Sequence, residues 1–539
     1  MPRIFISDKL EAGGLDLLKK SGLDIDNRPG LKDAALLEAL RAADGMIVRS
    51  GTRVTAQLLD NPGKLCAIVR AGVGVDNIDV AAATRKGIVV MNTPGGNTIS
   101  TAEQTITLMM ALARHTAAAD ASLRQNKWER AKFVGTQLSG KTLGVIGLGR
   151  VGREVARRAV GLDMKVIGFD PFFSPDFAGK LGIETAPDLN SLLPRVDFLT
   201  VHTPLSPETT NLIGAAQLAT MKKGSRILNC ARGGIINEDA LVEALKSGQL
   251  AGAAIDVFVE EPPPADHPLL KLPNVVVTPH LGASTTEAQE TVALEAAQLL
   301  IDYLTKGVVQ YAVNMAAVDR AELEEVRSYV DMARRLGLLQ AQMAQGSIKR
   351  AQLTYRGEVA RRSTKLITGA FAAGLLEAAL AQNVNIVNAE LIARERGIDI
   401  IEQSVSKKGD FSTLIQTDVT TDKKCYTATG TLFGNQFLRL VQLGPYHLDA
   451  YMDGIMLLFT HRDVPGLIGF IGTIFGKHDV NIAQMTVGRQ QPGGEAIAVL
   501  NLDSQPPEAA LQEVRAHSKV SSLSVVKLPP AGEMPAWFG

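Results

Sequence analysis

Gly147, Gly149 and Gly152 stand in GLGRVG, between an apolar run, TLGVI, and an amphipathic one, VGREVARRAV. In that context the first glycine permits a tight turn and the second lets backbone N–H groups approach a pyrophosphate. The third lets a helix pack closely on a strand. The phosphates would then lie at a helix N-terminus, where unpaired N–H groups and the helix dipole favour anions. Asp170 closes the next apolar run, VIGFD, where a carboxylate can accept hydrogen bonds from an adenosine ribose. It would repel the 2′-phosphate of NADP, and Pro171 and Phe172 supply no offsetting cation, so NAD is the expected cofactor. Further along, Arg232 follows SRILNCA, Glu261 follows AIDVFVE and His280 follows NVVVTP. Moving a hydride from an alcohol carbon to a nicotinamide needs a group that takes the hydroxyl proton, and histidine titrates near neutrality. A neighbouring carboxylate would orient the ring, and an arginine would hold a substrate carboxylate. His202, in FLTVHTPL, also ends a strand, so residue type alone leaves two histidines open. Cys230 reads as a small core residue near the cofactor.

These residues need a parallel sheet, because its strand ends face one crevice. KTLGVIG, MKVIGFD, FLTVH, SRILNCA, AGAAIDV and NVVVTP read as its strands, with helical patterns between them. RIFIS, GMIVRS and CAIVRAG begin a similar unit at the N-terminus. Two long helical stretches, TAEQTITLMMALARH and TTEAQETVALEAAQLLIDYL, join the two. The expected fold class is α/β, with two Rossmann-like doubly wound lobes, one of them discontinuous, and a cleft between them. The expected boundaries are 1–98 with 286–316 for the substrate lobe and 99–285 for the NAD-binding domain. An α+β intervening domain follows at 317–450, and a regulatory domain at 451–539. In the last, GIMLLFTHRD, GLIGFIGTIFGKH, NIAQMTVGRQ, EAIAVLNLDS, PEAALQEVRAH and SSLSVVKL give a ferredoxin-like βαββαβ order.

Composition bounds the function. A chain of 539 residues suggests three to four domains, more than one catalytic unit needs. Fifty-six basic residues balance 56 acidic ones, which argues against nucleic-acid binding through a broad basic field. The three cysteines fit neither a disulfide framework nor a zinc pattern, and no metal is expected. The most membrane-like stretch, ITGAFAAGLLEAAL, is short and is broken by Glu377, and Asp8 interrupts any signal-like run. The expectation is a reduced, cytoplasmic protein with no membrane partner.

GLGRVG, NCARGGIINEDAL, DVFVEEP and PHLGASTTEAQ resemble the D-isomer-specific 2-hydroxyacid dehydrogenase family, over residues 1 to about 315. By that resemblance Arg232 binds substrate, Glu261 is the partner carboxylate and His280 the acid/base. Glu261 rather than Glu260 is selected because the family's acidic residue immediately precedes the proline. The resemblance also implies that Gly147, Gly149, Arg150, Val151, Gly152, Asp170, Thr203, Pro204, Cys230, Asp256 and Gly282 surround NAD. Arg49 in IVRSGT, Arg70 in IVRAGVG, Asn97 in PGGNT and Arg130 in WERAKF are candidates for substrate anions. Arg49 and Arg70 both end apolar strands, which aims them at the cleft. A phosphorylated acid needs such cations. What the resemblance implies, and these cations would suit, is oxidation of 3-phosphoglycerate at C2 to 3-phosphohydroxypyruvate, opening the phosphorylated route to serine.

The tail, with THRDVPGLIGFIG and HDVNIAQM, resembles the ACT domain, a small-molecule sensor. Gly466 opens a helix that could hold a carboxylate, and His461, Asp463 and Asn481 are the expected effector-binding residues, with L-serine the expected effector. Relatives often carry Asn where Asp463 stands. The intervening domain, allosteric substrate-binding-like by the same resemblance, carries no motif of its own. A symmetric homo-oligomer, dimer or tetramer, is expected. The rival readings are a glyoxylate or hydroxypyruvate reductase, or another D-2-hydroxyacid dehydrogenase, against which the Arg49/Arg70 pair and the ACT-like tail speak, and an NAD-sensing corepressor-like binding protein, against which the tail speaks.

Overall fold

The computed structural model describes residues 1–535 except 173–178, 180–181, 316–319, 378–379, 381–383, 406–410 and 435–436; of residues 320–323 it describes the backbone alone. Two all-parallel sheets build the first part of the chain. The first has five strands, in the order Asp24–Asn27, Arg3–Ile6, Gly45–Val48, Ala67–Arg70 and Val89–Asn92. Its inner strands read as unbroken apolar runs because helices cover both faces: Ile4, Phe5 and Ile6 are all fully buried. The edge strand DIDN was not legible, since it lacks an apolar run and pairs with solvent on one side.

The second sheet has seven strands, in the order Val275–Val277, Leu250–Ile255, Ser225–Asn229, Phe198–Val201, Thr142–Ile146, Lys165–Phe169 and Glu184–Thr185. Strand order reverses between Thr142–Ile146 and Phe198–Val201, which places a crevice at the end of the strand that leads into GLGRVG. Helix Thr98–Arg114 carries the chain into this unit, and helix Thr286–Lys306 returns it to the first sheet, where Val292, Ala296 and Leu300 join the core of Ile4, Ile6 and Val69. Gly307, in the left-handed region at φ +66°, ends that helix.

Beyond lie a six-stranded mixed sheet and a four-stranded antiparallel one. The mixed sheet runs Asp399–Val405, Ile348–Gly357, Thr413–Thr421, Cys425–Phe433, Phe437–Leu443, Tyr446–Tyr451, and only the first strand is parallel to its neighbour. Helices Arg320–Met343 and Thr364–Glu377 pack on it. The second of these is buried from Leu366 to Leu376, so its apolarity serves a core rather than a bilayer. The end of its expected stretch, 378–379, lies outside the described residues, and no described helix is long and apolar enough to cross a membrane. The last sheet, ordered Ile482–Arg489, Glu495–Leu502, Ile455–Arg462, Val520–Lys527, has helices Leu467–Lys477 and Glu508–Arg515 on one face, the expected βαββαβ unit.

Its other face is not free. Along Ile455–Arg462, Leu457 and Phe459 meet the sheet's own helices, while Met456 and Leu458 enter the core built on Val330, Leu336 and Tyr355 of the preceding domain. The two C-terminal domains therefore share one core. Arg335, fully buried, fastens them: it pairs with Asp331 and donates to the carbonyls of Met452, Pro529, Pro530 and Glu533.

Candidate active site

The strand ends of both parallel sheets open on a cleft of about 480 Å³. Gly147, at φ +90°, turns the chain out of its strand; a Cβ there would stand 2.7 Å from the His202 carbonyl. Gly149 caps helix Arg150–Gly161, and a Cβ on it would meet nothing within 4 Å. A Cβ on Gly152 would lie 1.9 Å from the Gly147 carbonyl oxygen. The three glycines thus serve a turn, an open approach to a helix N-terminus and a close packing contact, as a dinucleotide requires. Asp170 accepts from Leu148 N–H and Phe172 N–H, both at 2.9 Å, which fixes its carboxylate beside the loop. Thr203 lines the cleft with a buried hydroxyl that has no partner in the protein, a polar group left for a ligand. Arg150, Val151, Pro204, Cys230 and Gly282 also line it. Burial pushes the Cys230 thiol up to about 12, so it is inert.

Asp256, also expected near NAD, is fully buried. One oxygen accepts from the Thr278 hydroxyl at 2.5 Å and from Leu281 N–H, the other from Gly282 N–H. Its side chain is thus committed to the loop that carries His280. Ser100 and Thr101, on the connecting helix, hold the Gly282 carbonyl from the other side. His280 itself adopts a left-handed backbone, φ +54°, rare for a residue with a Cβ and typical of a constrained functional position. Its Nδ1 lies 2.8 Å from Glu261 Oε2, which leaves Nε2 for proton transfer. Burial raises the Glu261 pKa, but bonds from His280 and Phe258 N–H, with the charges of His280 and Arg232, outweigh this and hold the carboxyl below its ordinary range. His202, the other histidine, also lines the cleft and lies 3.0 Å from the Thr200 hydroxyl; burial pushes its imidazole down to about 4, so it is neutral near pH 7. The geometry therefore selects the His280–Glu261 pair.

Arg232 is delivered by a turn in which Asn229 accepts from Ala231 N–H and donates to the Arg232 carbonyl. From the first lobe the cleft receives Asn97, whose buried Oδ1 has no partner, and Asn92, which donates to the Val73 carbonyl at 2.5 Å. Arg70 lies beneath Gly72, with its Nε buried and unpaired; burial, then the charge of Arg232, brings its pKa down to about 10. Of the expected anion-binding residues only Asn97 is in the cleft lining; Arg49, Arg70 and Arg130 are not. Arg49 ends its strand as anticipated, but its guanidinium turns to the Lys9 carbonyl at 3.1 Å and towards Glu11, acceptors within its own lobe. Arg130 is exposed on a short 3₁₀ turn, Arg130–Phe133. Sequence reasoning missed Asp76, which receives a hydrogen bond from Arg232 Nε at 2.9 Å across the cleft. It also missed Asn92, though a polar residue ending an apolar strand was a usable signal.

In the C-terminal domain the expected effector residues are engaged with the protein. Asp463 accepts from Arg489 at 2.7 Å and from Gly493 N–H, and Asn481 donates to Asp503. His461 is buried, with Nδ1 2.9 Å from the Arg462 carbonyl oxygen and Nε2 without a partner.

A doubly wound nucleotide lobe with a histidine–carboxylate pair and an arginine at its crevice defines a hydroxyacid dehydrogenase. Residues 106–282 match the NAD-binding domain of the D-isomer specific 2-hydroxyacid dehydrogenases, 325–444 the D-3-phosphoglycerate dehydrogenase intervening domain and 455–518 the ACT domain. D-3-phosphoglycerate dehydrogenase of Methanocaldococcus jannaschii is 42% identical over 98% of this chain and all of its own, and that of Bacillus subtilis 39% identical over the same shares. Among solved structures, a glyoxylate reductase from Paecilomyes thermophila superposes with a TM-score of 0.54 at 29% identity, covering 98% of that chain but 58% of this one. The chain belongs to the D-3-phosphoglycerate dehydrogenase family, and its cofactor is NAD.

Proposed function

We propose that the protein oxidises 3-phospho-D-glycerate at C2 to 3-phosphohydroxypyruvate, as the first step of the phosphorylated route to L-serine. The observation that carries the reading is His280, paired with Glu261 at 2.8 Å, lining one cleft together with Arg232 and Asn97. NAD, held by the GLGRVG turn, Asp170 and the cleft-lining residues from Arg150 to Thr203, supplies the hydride acceptor. His280 Nε2 takes the C2 hydroxyl proton, and Glu261 stabilises the imidazolium that results. Arg232 holds the substrate carboxylate and polarises the forming carbonyl. Arg70 and Asn97 are the first-lobe groups for the remaining anionic and hydroxyl oxygens, and Arg49 joins them if it leaves its Lys9 and Glu11 partners.

Serine regulation through the ACT domain belongs to the same proposal. Gly466, a left-handed N-cap with open space around it, and the paired Asp463 form its binding end. A serine amine there would compete with Arg489 for Asp463. Assembly into a dimer or tetramer is supported by Leu123, Trp128 and Val134, which expose apolar surface on consecutive segments of the nucleotide lobe.

The test is NADH formation from 3-phosphoglycerate, D-lactate, glycolate and glycerate, with and without millimolar serine. Turnover of the phosphorylated acid above the others supports the reading; turnover of glycolate or glycerate alone would favour the reductase instead. His280→Asn should lower kcat by roughly two to four orders of magnitude.

A further inference from the structure

Asp76 is the one carboxylate among the described residues lining the cleft, and a site for a multiply charged anion gains nothing from a free negative charge. Its position explains it. Arg232, in the nucleotide lobe, spends two of its five N–H donors within the protein: Nε to Asp76 Oδ2 at 2.9 Å and Nη1 to the Ala231 carbonyl at 2.7 Å. Nη2 passes Gly74, where a Cβ would stand 1.7 Å from it. The segment 73–79 of the other lobe thus grips the guanidinium on two sides, by an anion at Nε and by a missing side chain at Nη2.

That segment is itself anchored. Asn92 holds the Val73 carbonyl, Asn77 donates to the carbonyls of Arg49 and Thr52, and Asp79 caps the next helix at Ala82 N–H. Asp76 is therefore presented on a fixed loop.

We infer that Asp76 is a positioning residue: it orients Arg232 across the cleft so that the Nη edge of the guanidinium meets the substrate carboxylate, and it does so only at this separation of the lobes. With Nε occupied, the planar fork has one edge left for bidentate recognition. A carboxylate at Nε also offsets the mutual repulsion of Arg232 and Arg70, whose pKa burial and Arg232 both lower and Asp76 raises. The substrate's carboxylate would still be attracted without Asp76, because both arginines remain. What is lost is alignment, and misalignment slows the chemical step more than it weakens binding.

The inference rests on the hydroxyacid dehydrogenase reading but needs only a 2-hydroxy carboxylate, so the wild-type enzyme first fixes the substrate by NADH formation. Failure of 3-phosphoglycerate in that arm sinks the substrate proposal alone, and the variants are then compared on whichever acid turns over. With Asp76→Ala, kcat should fall roughly ten- to a hundredfold while KM changes less than about threefold. The isotope effect on kcat with the C2-deuterated acid should rise as hydride transfer becomes limiting, and Asp76→Glu should recover most of kcat. NAD affinity should be unchanged, because the cofactor loop is untouched. An unaltered kcat, a raised KM at constant kcat, an unchanged isotope effect, or an Asp76→Glu variant no better than Asp76→Ala would each overturn it.

Discussion

Replacing Gly149 and Gly152 separately by alanine divides the glycine motif into a packing role and a binding role. A methyl at Gly152 would stand 1.9 Å from the Gly147 carbonyl oxygen, where ordinary contact begins at 3.4 Å. The first turn of helix Arg150–Gly161 must then withdraw by about 1.5 Å, and overpacking of this kind costs about 1–3 kcal/mol. The same retreat moves the N–H groups that receive the pyrophosphate, and displacements near 1 Å already cost about a hundredfold in a positioned site. Gly149→Ala behaves differently. The position has φ −63° and open space, so the fold should accept the methyl within about 1 kcal/mol. The methyl occupies the approach to the helix N-terminus, and losing one charge-assisted hydrogen bond there costs about 1.5–3 kcal/mol, roughly ten- to a hundredfold in NAD affinity. Calorimetric melting and NAD titration read both effects. Gly152→Ala should lower both stability and affinity, and Gly149→Ala only affinity. If Gly149→Ala binds NAD as tightly as the parent, or melts as early as Gly152→Ala, the assignment of roles is wrong.

Three further perturbations follow from the geometry. Glu261→Gln keeps a hydrogen-bonding group near His280 Nδ1 but removes the charge that stabilises its imidazolium, and steady-state assays should show kcat reduced roughly a hundredfold. For His202, ordinary at 6.5 and held near 4 in the fold, the unfolded chain binds the proton first as pH falls. Stability should therefore drop between about pH 6.5 and 4, by up to about 3 kcal/mol, and His202→Gln should flatten that part of a denaturant-midpoint profile. Arg335→Met leaves the Asp331 carboxylate and four carbonyls without their donor, which should cost about 3–5 kcal/mol in the C-terminal melting transition. Limited proteolysis should then cut near Pro529 first.

What the sequence disclosed follows how local each feature is. The glycine fingerprint was legible because every glycine answers a demand of its own backbone. Arg232, Glu261 and His280 could be placed near strand ends that face one crevice, but the choice of His280 over His202 and of Glu261 over Glu260 came from the family resemblance. Asp76 was not legible, nor was the hold of Asp256 on the 278–282 loop, since such partners are set by which loops meet in space and leave no periodic trace. Arg49 had the right type at the right strand end, yet its direction is decided by the Lys9 carbonyl and Glu11. The βαββαβ order of the last domain was readable from its two periods. The covering of its second face left a signal too, because IMLLF is apolar at both alternating positions, which a sheet with one wet face would not require.

The shared core changes how the C-terminal half can reach the cleft. Two domains that bury Met456, Leu458, Val330 and Leu336 together, and are fastened by Arg335, must move as one body. That body touches the first lobe where Asn385 donates to the Gly87 carbonyl at 2.9 Å and Val387 enters the core of Val69 and Met91. Gly87 leads directly into the strand Val89–Asn92, Asn92 holds the Val73 carbonyl, and three residues further stands Asp76 with Arg232 in its grip. Allostery requires an element whose two states both sites bias, and spatial continuity alone does not supply one. If the regulation proposed above operates, the lobe-spanning Arg232–Asp76 pair is the contact on which a change of lobe separation would act.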